Sequence, residues 1–374
     1  MQKIELTIAP NYVPSWGIAE AIRELFQNAL DQQRQNPTNE MSWDYDPEAQ
    51  RLRICNKYSV LTASSLLLGQ TSKADDESTI GQFGEGYKIA TLVLLRNNKK
   101  ITFYNHGAKE IWSPRFVNSR RFGTQVLTFF IDKKAFWEKV PDNDLTIEID
   151  GITEEEFADV SMKNLHIRKG FKVIASTRYG DIVDIPGKVF VDGLFVCDFK
   201  PYKYGYNFKP EYLKLDRDRK MVSDFDLRWI ASRAWSNSGE ASTHIVLELI
   251  QQGAADVEYI DSMTPFDSSS NGFKMREVCY ESFRKQYGDF AIPVADQEEL
   301  ERVPKGYKGI VVPRTYNTMI RNSSQFLAAA PPEQTERERI LDEIDSWLCA
   351  VKDKLTIGEV ADLTNLLDRL REEI

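Results

Sequence analysis

Cysteine, histidine and long apolar runs are all scarce in this chain of 374 residues. Cys55, Cys197, Cys279 and Cys349 stand far apart with no paired C-x-x-C spacing, so neither a disulfide framework nor a zinc site is suggested. Only three histidines are present, His106, His166 and His244. The longest apolar run, Ile89 to Leu95, is far too short to cross a bilayer, and no membrane partner is expected. The first ten residues lack the charged-then-apolar plan of a signal peptide, so a reduced, cytoplasmic protein is expected. Positive charge is also in the minority. Lys and Arg number 48 against 57 Asp and Glu, a net charge of −9 that argues against global attraction to nucleic acid or anionic membrane.

What is present is a globular composition, 42% hydrophobic and 28% charged, which excludes disordered, collagen-like and coiled-coil chains. The length allows two or three domains. Apolar alternation predicts strands at residues 3–8, 51–55, 101–104, 125–131 and 145–149, with a short helical piece at 134–139. Ile18, Ile22, Leu25 and Ala29 predict a helix over about 16–33, with Ser15 as a candidate N-cap, and a buried helix follows a Gly-rich loop at 89–95. A second block begins near Gly151, where Asp192-Gly193 predicts a two-residue hairpin turn. After a Ser-rich linker at 262–272, helices and strands alternate and give way to amphipathic helices near the end of the chain. The expected class is α+β, with domains at 1–150, 151–261 and 273–374.

Two motifs carry chemistry. Glu24, Asn28 and Asp31 fall within a band of about 60° on the first helix, away from its apolar stripe. The Asn28 amide oxygen is a hard, neutral ligand suited to Mg²⁺, and Glu24 could orient or deprotonate a water. Alone, such a trio is most simply a solvated polar face. The second motif, Gly81-Gln82-Phe83-Gly84-Glu85-Gly86, precedes Tyr87, Lys88 and a helix. Its glycines let backbone N–H groups approach an anion, while the helix start and Lys88 add positive charge. Its order is G-x-x-G-x-G, and it fits neither a Rossmann nor a P-loop pattern.

In this combination the sequence resembles the GHKL ATPases, the superfamily of gyrase B subunits, MutL, heat-shock chaperones, MORC ATPases and histidine kinases. Glu24, Asn28 and Asp31 match its Glu-x-x-x-Asn-x-x-Asp helix, and residues 80–88 match its Gly-rich lid motif, closest to the chaperone and MORC versions. Gly123-Thr124 matches a later Gly-Thr that opens a strand. The resemblance implies a Bergerat-type sandwich of helices on a mixed sheet, binding Mg²⁺ and ATP and hydrolysing ATP slowly. By it, Glu24 is the catalytic base, Asn28 the Mg²⁺ ligand and Asp31 part of the adenine or water network. Gly81, Gln82, Phe83, Gly84, Glu85, Gly86, Tyr87 and Lys88 surround the phosphates, Ser72 and Lys73 add a secondary contact, and Thr124 approaches the base.

The sequence departs from the family at one place. Where the family carries Asp-x-Gly-x-Gly after the strand at 51–55, this chain has Asn56 and no glycine follows, which puts adenine selectivity in question. Residues 151–261 occupy the position of a ribosomal-protein-like β-α-β transducer, with Arg217, Arg219 and Lys220 as γ-phosphate candidates. The resemblance further implies a homodimer acting as an ATP-gated, chaperone-like clamp on a protein client.

Two alternatives stand beside it. One is a nucleotide-binding switch with vestigial hydrolysis. The other is a MutL- or MORC-like nucleic-acid-handling ATPase, resting on residues 199–220, where seven basic residues and six aromatics gather. There Tyr202, Tyr204, Tyr206 and Phe208 alternate as either a buried strand face, the preferred reading, or a base-stacking platform.

Overall fold

A computed structural model describes residues 1–66, 86–133, 144–213, 223–263, 271–329, 336–351 and 354–372. The chain packs as two units, Met1–Asp226 and Leu227–Ile374.

In the first unit, seven strands form one sheet: β1 (Gln2–Glu5), β2 (Met41–Asp46), β3 (Arg51–Asn56), β4 (Lys100–Asn105), β5 (Glu110–Ser119), β6 (Thr124–Lys133) and β7 (Leu145–Asp150). Their order is β1-β6-β5-β4-β7-β3-β2, and every pair is antiparallel. Such a sheet can bury one face and wet the other. Leu52, Ile54, Ile101, Phe103, Ile147 and Ile149 point into the core, beneath α1 (Ile18–Gln35) and α2 (Gly86–Arg96). The opposite face of β3, β7 and β4 is an ion ladder. Arg51 Nε lies 2.7 Å from Asp150, Arg53 Nε 2.9 Å from Glu148, and Lys100 Nζ 3.2 Å from Asp150.

Of the α1 stripe, Ile22, Leu25 and Ala29 are buried, while Ile18, at the start of the helix, is half-buried against the same core. Phe26, outside that stripe, is buried as well, and each fully buried large side chain here contributes about 1.5–3 kcal/mol. The N-cap differs from the expectation. It is Gly17, not Ser15, and its N–H donates to Glu20 Oε2 at 2.9 Å. The chain alongside β6 is likewise shorter as a strand than its alternation suggests. β1 ends at Glu5, although Leu6 and Ile8 stay buried and still exchange backbone bonds with Leu127.

A second sheet follows α3 (Glu154–Met162): β8 (Val173–Thr177), β9 (Gly180–Val183), β10 (Lys188–Val191), β11 (Leu194–Asp198) and β12 (Gly205–Phe208), in the order β11-β10-β12-β9-β8. Its β10–β12 pair is parallel. The β10–β11 turn is Asp192-Gly193, with φ of 50° and 76°, the left-handed pair that a tight hairpin requires. Leu194 on this hairpin joins the same core as α1.

The remaining elements are α4 (Asp224–Ser236), α5 (Thr243–Gln251), α6 (Asn271–Tyr287), β13 (Ala291–Val294), α7 (Gln297–Glu301), β14 (Lys308–Val311), α8 (Arg314–Arg321), α9 (Ser324–Ala329), α10 (Glu336–Val351) and α11 (Ile357–Glu372). β13 and β14 pair in parallel, as their connection through α7 demands. Leu341, Leu348 and Leu367 form a small core of their own between α10 and α11. Among the described residues, no helix is long and apolar enough to cross a membrane.

Candidate active site at the junction of α1 and α2

The site forms where two helices meet over the sheet. Arg96, at the end of α2, fixes the approach to α1. Its guanidinium donates to the carbonyl oxygens of Pro10 (3.3 Å), Tyr12 (3.0 Å), Val13 (3.2 Å) and Trp16 (2.8 Å). The segment before α1 is thereby held to α2 by one side chain. At the other end of α2, the Tyr87 hydroxyl donates to the Ser65 carbonyl at 2.6 Å and lies 2.9 Å from Ser65 Oγ. Burial raises the Tyr87 pKa far above its ordinary value, so the hydroxyl remains a donor.

Between these anchors, Glu24 and Asn28 converge on Gly86, the first residue of α2. A Cβ at Gly86 would fall 2.6 Å from Glu24 Oε2 and 3.4 Å from Asn28 Nδ2. Glycine is needed here for close approach. Glu24 is 2% exposed, with Oε1 3.3 Å from Arg23 Nη2, and its other oxygen faces the positive end of α2. Asn28 Nδ2 donates to the Glu24 carbonyl at 2.9 Å, which leaves Oδ1 to accept or to ligate. A carboxylate, an amide oxygen and a helix N-terminus thus meet at one point.

The other expected residues are placed differently. Asp31 is fully buried, 3.5 Å from Arg34 Nη1, and Arg34 also pairs with Asp192 on the β10–β11 turn. Burial raises the Asp192 pKa, aided by the Asp31 charge and opposed by Arg34 and His166. Asn56 is buried and uses its amide nitrogen as a double donor, to the Ala29 carbonyl (2.9 Å) and the Asn39 carbonyl (3.0 Å). An aspartate could not make either bond, which gives the asparagine at this position a structural reason. Lys88 is fully buried in α2, its Nζ 5.6 Å from the Tyr87 ring centre.

Thr124 is not brought to this group. Cross-strand register carries Asn56 through Leu145, Asn105 and Glu110 to Lys133. Thr124 opens β6 at its far end, about 30 Å along the strand from Lys133, and is exposed beside Gly123. Ser72, Lys73, Gly81, Gln82, Phe83, Gly84, Glu85, Arg217, Arg219 and Lys220 lie outside the described residues. The stacking platform is excluded at Tyr202, Tyr206 and Phe208. These rings are buried and packed on one another, with centroids 4.5 Å and 5.2 Å apart along the series.

Sequence reasoning missed Asn105. It is fully buried in the same register row as Asn56, and its amide exchanges both bonds with Leu61, accepting from N at 3.1 Å and donating to O at 2.8 Å. The Asn105-His106-Gly107 cluster signalled a strand end, which was the only hint available.

No family model matches the chain. A Mycoplasma pneumoniae protein described only as uncharacterized is 27% identical over 235 residues, covering 60% of this chain and 92% of that protein. Among solved structures, the ATPase region of Saccharomyces cerevisiae topoisomerase II bound to ICRF-187 superposes with a TM-score of 0.33 at 10% identity, over 48% of this chain and 62% of that one. The ATPase and transducer domains of Balamuthia mandrillaris DNA topoisomerase II give 0.31 at 13% identity, over 48% and 60%. The chain thus spans about three fifths of the length of the solved structures it matches.

Proposed function

We propose that the chain binds Mg-ATP at the α1–α2 junction and hydrolyses it slowly, as a GHKL-type ATPase. The observation that carries this reading is the convergence of Glu24 and Asn28 on Gly86 at the start of α2. Glu24, with one oxygen turned to the junction, is positioned to accept a proton from an attacking water. The α2 N-terminus turns backbone N–H groups and the positive end of the helix dipole toward phosphate oxygens. Asn28 Oδ1 is a hard, neutral oxygen donor of the kind Mg²⁺ takes alongside phosphate and water. Mg²⁺ held there would neutralise phosphate charge. Catalysis of this type depends on positioning and charge stabilisation, which a buried, two-helix site provides.

In this reading residues 151–261 act as the transducer, 273–374 engage a macromolecular client, and the working unit is a homodimer. The commitment of both Asn56 N–H groups to backbone favours a second reading, a nucleotide switch with relaxed base selectivity and little turnover. In it, only the Asn56 oxygen would meet the base.

The test is Mg²⁺-dependent ATP hydrolysis by the purified protein and its Glu24→Ala variant across a range of protein concentrations. Turnover should fall by at least about a hundredfold in the variant, and specific activity should rise with concentration. Binding without turnover in either protein would favour the switch. Absence of ATP binding would remove both readings.

A further inference from the structure

Both acidic residues of the α1 motif are held by arginines of the same helix, and both arginines reach one hairpin. Arg23 places Nη2 3.3 Å from Glu24 Oε1 and Nη1 3.4 Å from the Phe195 carbonyl oxygen on β11. Arg34 places Nη1 3.5 Å from Asp31 Oδ1 and Nη2 on the Asp192 carboxylate at the β10–β11 turn. Eleven residues apart, the two arginines lie about 20° apart around α1, on a single ridge three turns long.

The hairpin is braced on its other sides. Asp192 N donates to the Phe208 carbonyl at 3.0 Å, and Gly193 N to Asn207 Oδ1 at 2.6 Å. Leu165 N donates to the Gly193 carbonyl at 2.7 Å, and Phe195 N to the Lys163 carbonyl at 2.9 Å. His166 Nε2 lies 2.8 Å from the Asp192 carbonyl oxygen, and a Cβ at Gly193 would come within 2.6 Å of that nitrogen. The tip therefore has no room to move alone; it moves together with β12 and with residues 163–166.

We propose that Arg23 and Arg34 are positioning residues that transmit the position of the β10–β11 hairpin to Glu24 and Asp31, so that nucleotide occupancy and the five-stranded sheet report on each other. The proposal rests on the nucleotide-site reading above. Glu24 and Asp31 are 2% and 0% exposed, and a buried carboxylate tolerates loss of its guanidinium poorly. Displacing the hairpin along α1 shifts both arginines at once and with them the carboxylates they pair with. Conversely, a ligand that fixes Glu24 biases where the hairpin rests. Two contacts on one ridge make the response depend on the hairpin as a unit.

The test uses full-length wild type, Arg23→Gln, Arg34→Gln and Asp192→Asn, with Mg²⁺ and a non-hydrolysable ATP analogue. Affinity is read by calorimetry, the hairpin by deuterium uptake of residues 188–198, and turnover with ATP. In wild type, nucleotide should slow hairpin exchange by about threefold or more. In the glutamine variants the analogue should bind within about threefold of wild type, while the hairpin response is lost and kcat falls about tenfold at little-changed KM. Asp192→Asn, close in shape and altered only on the hairpin, should weaken the same response. It remains informative if an arginine variant fails to fold. A hairpin unresponsive in wild type that binds the analogue, or a response intact in the variants, overturns the proposal. Failure of wild type to bind overturns the site reading itself.

Discussion

At Gly86 the space for a methyl group is already taken by the Glu24 carboxylate. Because the obstructing atom ends a side chain, Gly86→Ala should fold and should displace Glu24 instead of breaking α2. A shift of about 1 Å in a reacting group can cost about a hundredfold in rate, so kcat should fall by that order while the melting temperature changes little. Equal loss of activity and stability would contradict this account. Asn56 makes the opposite case. Asn56→Asp would place a carboxylate where the motif that the sequence resembles has one, yet it replaces two donors by an anion facing two carbonyl oxygens. A loss of about 2–3 kcal/mol in denaturant unfolding is expected, with no gain in ATP affinity.

At the scale of elements, Arg96 is the side chain on which the α1–α2 geometry depends. Arg96→Ala removes four hydrogen bonds and leaves the carbonyl oxygens of Pro10, Tyr12 and Trp16 without this donor, while Val13 keeps its bond from Trp16 N, and about 3 kcal/mol of stability should be lost. Amide exchange should rise first over residues 9–17, ahead of the strands; a uniform rise would contradict the role.

Much of this level was legible in sequence. The α1 stripe and the Glu24–Asn28 spacing follow from helical period, and Asp192-Gly193 declared its turn. β2 and β5 were not recognised. In β5, Pro114 breaks the strand signature, but it lies past the end of the β4–β5 pairing, where it costs β4 no hydrogen bond. Thr124 fitted a local motif, yet only register could show how far its strand carries it from Asn56. The bond patterns of Asn56 and Arg96 were illegible for the same reason, since their acceptors are backbone atoms distant in sequence.

For the molecule as a whole, acid stability should depend on the outer face of the seven-stranded sheet. Burial opposes the charge on Asp150, but hydrogen bonds from Arg51 and Lys100 outweigh it and hold the pKa below the ordinary 3.8. A group depressed on folding contributes stability that is present above its unfolded pKa and lost as pH falls through the folded value. Asp150→Asn should therefore lower stability near pH 7 and flatten the acid limb below pH 4, as followed by thermal unfolding against pH. An unchanged acid limb would show that the ladder is spectator charge.

The same sheet bears on assembly. Its two outermost strands are β1 and β2. The first is four residues long and carries Lys3 and Glu5; the second alternates Ser42, Asp44 and Asp46 toward solvent. Short, charged borders of this kind discourage another chain from adding a strand. A partner reaching this sheet at its borders would meet side chains instead of a shared backbone ladder, so such a contact could be made and released without opening the sheet.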